Sequence, residues 1–176
     1  KTTRARLTIL VLMPFWTSFL VRTFAWIVLL VRTGAVNNFL VDMGLIDVPM
    51  KMIFNFTGVM IGMTHALMPL AVLTMLSVME GIDANLSKSG ATMGARGGQT
   101  FWRIYFPLSV PGIAAGGMLV FITSLGFFIT PALLGGARDT MIVQTIIFQI
   151  QEILNWGFAG AIGVLMMIAV LIIFFI

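Results

Sequence analysis

The 176 residues carry ten Lys and Arg against six Asp and Glu, a formal net charge of +4, and are 60% hydrophobic with only 9% charged side chains. Soluble domains hold about 45–50% apolar and about 25% charged residues, so this surplus excludes a water-soluble core. The absence of cysteine excludes a disulfide framework and a thiolate metal site, and basic residues that flank apolar stretches without forming a stripe point to membrane orientation and away from nucleic acid.

In chain order, KTTRAR has neither an initiator methionine nor the cleavage site of a signal peptide. At the other end the sequence stops inside LIIFFI with no polar cap, so the chain is expected to be a fragment of a longer one. A first span is predicted over residues 7–31, where Arg22 is the only charge and Pro14 should kink the helix. A second is predicted over 53–79, uncharged and containing His65 and Pro69. After a polar, glycine-rich loop over 80–107 come a third span over 112–134 and a fourth over 153–176. Residues 140–151, with Gln144, Gln149 and Gln151, are apolar but too short to cross, which predicts a short interfacial or re-entrant helix. Lys1, Arg4, Arg6, Lys88, Arg96 and Arg103 fall on one side of these spans, and Arg32, Lys51 and Arg138 on the other. The positive-inside rule then puts the N-terminus and the 80–107 loop in the cytoplasm.

No constellation for catalysis is evident. One histidine, no cysteine and six scattered carboxylates offer neither a His/Cys metal cluster nor a nucleophile with its base. The Lys88-Ser89 pair lacks the glycine that a phosphate-binding loop places before its lysine, so nucleotide hydrolysis would belong to another chain.

The loop is more informative. A helical composition up to Met93 is broken by Gly94, Gly97 and Gly98, and Gln99 to Tyr105 can form a second short helix before Pro107. Phe101, Trp102, Ile104, Tyr105 and Phe106 give it an apolar surface that a solvated connection would not need. The spacing from Gly94 to Ile104, Tyr105, Phe106 and Pro107, followed by LSVPGI, resembles the EAA motif in permease subunits of binding-protein-dependent ABC importers. Lys88-Ser89-Gly90 stands where that family usually has Glu-Ala-Ala, and Phe106 where it has leucine. The stretches PFWTSFLVRTFAW and FITSLGFFITPALLGGARDTMI look like the spermidine/putrescine branch.

The resemblance implies an all-α integral membrane protein with the type I ABC importer permease fold. About four transmembrane helices, a single permease domain over 1–176 and a cytoplasmic coupling helix are expected, with the first two of the family's six spans missing. It implies a multi-pass transport subunit of the bacterial inner membrane, not an enzyme, importing polyamines or another small cationic or zwitterionic solute. The implied partners are ATPase subunits that hold ATP and Mg, a second homologous permease and an extracytoplasmic solute-binding protein. No cofactor is expected on this chain itself. Lys88, Gly94, Ala95, Phe101, Ile104 and Pro107 are the candidates for ATPase coupling. A membrane scaffold whose loop only recruits a partner is the competing class.

Trp16, Arg22 and Trp26 are candidates for a translocation path, with interfacial anchoring the plainer role of the tryptophans. Arg22 is ten residues from Arg32, about 15 Å along a continuous helix, farther than its side chain comfortably snorkels. His65 reads as a packing residue between helices. The Gly58/Gly62 and Gly112/Gly116 pairs permit close helix contact.

Overall fold

The computed structural model describes residues 6, 9 and 11–175, leaving aside the side chains of residues 14, 15, 84, 87, 88 and 91. The start expected for the first span, residue 7, lies outside the described residues, as do Lys1 and Arg4. All regular structure among the described residues is helical. That follows from the composition, because in lipid a single chain segment satisfies its own backbone only as a helix.

A 3₁₀ turn at Met13–Trp16 is followed by α1 (Phe19–Leu30), α2 (Ala35–Asp42), α3 (Phe56–Glu80) and α4 (Ala84–Thr92). Then come α5 (Gly97–Thr100), a π turn (Phe101–Tyr105), α6 (Phe106–Leu125), α7 (Ile129–Leu134), α8 (Ile142–Gln151) and α9 (Trp156–Phe175). Among the described residues, four segments are long and apolar enough to cross a membrane: Phe19–Asp42, Phe56–Glu80, Gly97–Leu125 and Trp156–Phe175.

Their bounds differ from the sequence-based ones for identifiable reasons. The 3₁₀ turn containing Pro14 interrupts the first segment, and helix resumes only after Ser18. Asparagines set the starts of the second and fourth: Asn55 Oδ1 accepts the Gly58 N–H at 2.9 Å, and Asn155 Oδ1 accepts the Phe158 N–H at 3.1 Å. The third segment was expected over 112–134, but it begins at Gly97 and ends at Leu125. Tight closures from Gly126 N–H to Thr123 O and from Phe127 N–H to Ser124 O, both 3.2 Å, end it there. Pro131 then falls in the first turn of the separate helix α7, where the missing N–H leaves no bond unmade.

The chain divides into two compact units, Lys1–Leu67 with Ile122–Ile176, and Met68–Phe121. In the first, α7 packs against α1 and on Gly62 of α3, where an added Cβ would lie 2.5 Å from Leu134 Cδ1 and 2.7 Å from Thr130 Cγ2. Asn37, fully buried, pins the connection after α2. Its Nδ2 donates to Val31 O at 3.2 Å and Met50 O at 3.0 Å, and its Oδ1 accepts the Met50 N–H at 2.9 Å. In the second unit α6 lies against the end of α3, with Gly112 facing Val78 and Gly116 facing Met75.

Gly112 has no room for a side chain, since a Cβ there would sit 2.7 Å from Val78 Cβ, an atom fixed to its own backbone. Gly112→Ala should therefore force the helices apart and destabilise the fold by about 1–3 kcal/mol. Gly117→Ala, with nothing within 4 Å of its Cβ position, should lose nothing. Thermal unfolding of the two variants in the same detergent checks the contrast.

Candidate functional site

Two regions hold the residues singled out from the sequence, one in each unit. In the Met68–Phe121 unit, α4 is started by Asp83, whose Oδ1 accepts the Asn85 N–H at 2.9 Å. It is ended by a turn in which Ala95 N–H reaches back to Gly90 O at 3.0 Å. Such a closure needs one residue in the left-handed region, and Gly94 supplies it at φ +80°. Arg96 opens the next helix, its N–H held by Gln99 Oε1 at 3.1 Å. The chain then folds back on α4 at Gly90, where an added Cβ would be 3.0 Å from Ile104 Cδ1 and 3.4 Å from Thr100 Oγ1.

The second helix does not stop before Pro107 as the sequence suggested. The π turn Phe101–Tyr105 absorbs the proline: Phe106 N–H donates to Phe101 O, five residues back, and helix continues through Pro107 into α6. Ser109, buried, donates its hydroxyl to Tyr105 O at 2.8 Å. The wide turn gathers the rings of Phe101, Trp102, Tyr105 and Phe106 on one stretch of surface. Phe101 and Tyr105 stack at 5.9 Å, while Trp102 lies 5.0 Å from Phe106 and 5.5 Å, edge-on, from Phe101. Phe101 is 46% and Trp102 64% exposed. Of the coupling candidates, Lys88 lies in α4, Gly94 and Ala95 form the turn, Ile104 packs at Gly90, Phe101 belongs to the ring cluster, and Pro107 lies inside the continuous helix.

In the other unit, one face of α1 brings together Phe19, Arg22 and Trp26. Arg22 stands over the Phe19 ring, 5.8 Å from its centroid. Its Nε and Nη1 are buried with no hydrogen-bond partner. Trp26 Nε1 donates to His65 Nδ1 at 3.2 Å, with the two rings 5.5 Å apart. Because indole N–H can only donate, Nδ1 accepts and the neutral imidazole carries its proton on Nε2. Phe19 meets Phe127 edge-on at 5.1 Å, beside an open groove of about 420 Å³ lined by Phe19, Gly126, Phe127, Phe128 and Ile129. Trp16, 89% exposed in the 3₁₀ turn, stands apart from this group. Thr130, buried with no partner for its hydroxyl, was not anticipated. A single threonine in an apolar run carries no sequence signal of what it faces.

The family model of the binding-protein-dependent transport system inner membrane component matches residues 1–176. The chain belongs to this family. It is 37% identical over 158 residues to the spermidine/putrescine transport system permease protein PotB of Escherichia coli (strain K12), covering 90% of this chain and 58% of that one. It is 35% identical over 171 residues to the PotB of Haemophilus influenzae, covering 96% and 60%. The permease chain thus spans less than two thirds of the length of these curated relatives. Its fold matches a bacterial ABC transporter involved in the import of the acidic polysaccharide alginate, with a TM-score of 0.80 at 20% identity over 98% of this chain and 63% of that one. The family is one of inner-membrane components of transport systems, and the spanning-length helices among the described residues are those of a multi-pass membrane protein.

The Trp26–His65 bond is testable in this permease. Trp26→Phe keeps the aromatic bulk but leaves His65 Nδ1 without its donor. A double-mutant cycle with His65→Leu should give a coupling of about 0.5–1.5 kcal/mol by thermal unfolding in detergent. A coupling indistinguishable from zero would mean the bond contributes nothing.

Proposed function

We propose that the chain is the membrane-embedded part of an ATP-driven importer for polyamines of the spermidine/putrescine class, coupled through its 84–106 segment to a separate ATPase. The observation that carries this reading is the ring cluster of Phe101, Trp102, Tyr105 and Phe106, exposed on a turn that the family's motif occupies. Exposed aromatic surface of this kind is characteristic of a docking site. The substrate class is supported by the likeness, at 35–37% identity, to the spermidine/putrescine transport system permeases PotB.

In this reading ATP and Mg are held by ATPase subunits, and their closure pushes on the ring cluster. Because α5, the π turn and α6 are one uninterrupted helix, a displacement at Phe101 is passed to the spanning segment along its own hydrogen bonds. The ATPase can bias the permease only in so far as its two states contact this helix differently. A second permease chain would complete the pathway, and an extracytoplasmic solute-binding protein would deliver the solute. Lys88, Gly94, Ala95, Ile104 and Pro107 shape the docking element, and Arg22 and Trp26 belong to the span interior.

The test is reconstitution of the full-length permease with its partners in proteoliposomes. ATP-dependent uptake of radiolabelled spermidine or putrescine is expected, and its absence would overturn the polyamine assignment. In the same vesicles Gly94→Val places a β-branched residue at φ +80°. No neighbour lies within 4 Å of that Cβ position, so membrane insertion should be retained. Permease-stimulated ATP hydrolysis should drop by roughly tenfold as the turn opens, a backbone penalty of about 1–2 kcal/mol. Unchanged stimulation would remove this turn from the coupling path.

A further inference from the structure

The six carboxylates of the chain, Asp42, Asp47, Glu80, Asp83, Asp139 and Glu152, all close helices or lie in the connections between them. Arg22 is one turn into α1, within the apolar segment Phe19–Asp42, and its Nε and Nη1 are buried without a hydrogen-bond partner. Among the described residues, the guanidinium stands over the face of Phe19 at 5.8 Å. A ring quadrupole offsets only part of what a desolvated guanidinium loses when it leaves water.

The polar groups around it do not supply the remainder. His65 spends its acceptor nitrogen on the Trp26 N–H. Thr23 turns its hydroxyl to Phe19 O at 3.0 Å. Thr130, on the helix packed against α1, holds a buried hydroxyl with no partner. A guanidinium carries only donors, and with Nε and Nη1 buried and unpartnered the group that suits it is an anionic oxygen. The Phe19 ring that supports Arg22 also forms one wall of the open groove closed by Phe127, Phe128 and Ile129, so this face of α1 is open at its edge.

We propose that Arg22 is half of an intramembrane ion pair whose carboxylate is a side chain outside these 176 residues, contributed within the assembled transporter. A side chain is favoured over a solute as the source because the proposed cargo is a polycation, which brings no carboxylate and would be repelled by an unpaired guanidinium. That preference rests on the importer reading; the buried, unpartnered Nε and Nη1 of Arg22 do not.

The test uses the full-length permease assembled with its partners in proteoliposomes, and it is read without solute or ATP, so a failure of the polyamine assignment does not affect it. Arg22→Gln should lower the fraction of membrane complex that survives solubilisation and mild heating by roughly tenfold, because the carboxylate is left buried and unpaired. Arg22→Lys should recover most of it. Screening the Arg22→Gln background for regained survival of the complex should return Asp→Asn or Glu→Gln changes within a permease span. Equal survival of wild type, Arg22→Gln and Arg22→Lys would overturn the proposal. So would equal loss in both variants without an acid-neutralising suppressor, which identifies packing as the role of Arg22. Rescue of Arg22→Gln by no protein change, combined with glutamate stabilising only the wild-type complex, would assign the carboxylate to a solute and overturn the side-chain source.

Discussion

A bilayer core offers the backbone no partner for an N–H or C=O, and the architecture of this chain is shaped by that shortage. Helices satisfy it by themselves, so what needs explaining is every place where a helix stops. At several of these places a side chain supplies a local substitute. Asn55 and Asn155 accept the first free N–H groups of α3 and α9, Asp83 does so for α4, and Gln144 Oε1 takes the Met141 N–H at 2.7 Å ahead of α8. Between α7 and α8 the chain turns on Asp139, whose carboxylate accepts the Gly136 N–H. Asn37 does the same for the longer connection after α2, giving three bonds from one buried amide. Polar residues are scarce, and those present are largely spent on backbone.

The same constraint explains how the docking segment is built. A proline at 107 would ordinarily end a helix, which would leave the ring cluster on a short element joined flexibly to the span. Widening one turn to the i→i+5 pattern just ahead of it keeps the helix continuous. The wide turn also spreads Phe101, Trp102, Tyr105 and Phe106 into a contiguous patch. A loop that only recruited a partner would not need this continuity. The proposed coupling role does, since a hinge between patch and span would absorb the displacement.

Much of the fold was legible in the sequence because a membrane span is a composition signal spread over about 20 residues, robust to any single position. The glycine at 94 was legible for a related reason: few residues tolerate the turn it occupies. What the sequence could not give were pairings. The Gly58/Gly62 and Gly112/Gly116 spacing shows that a partner can approach, not that Leu134 and Thr130 fill the first site and Val78 the second. Trp26 and His65 are 39 residues apart, and neither alone specifies the other. The end of the third segment at Leu125 is not legible because the uncharged, apolar run continues past it to Leu134. The proline is harmless in the first turn of a new helix, whereas tight closures at Gly126 and Phe127 had already ended the old one.

The charge pattern of the docking segment is set by two demands at once. From Ala84 to Phe106 the sequence contains no carboxylate, while Lys88, Arg96 and Arg103 are basic. Lysine and arginine beside a span set its orientation, whereas acids contribute little to that choice. A lysine where the family usually carries glutamate therefore strengthens the orientation signal of the loop. It also changes what the loop can offer to a docking partner. With only cations on this stretch, any ionic contact it makes has to be answered by acids on the other side, and the remainder of the attachment has to come from the aromatic patch. Ion pairs at an exposed edge contribute little to affinity and more to orientation, so under the proposed function the rings of Phe101 and Trp102 would be the anchor and the basic residues would set its register.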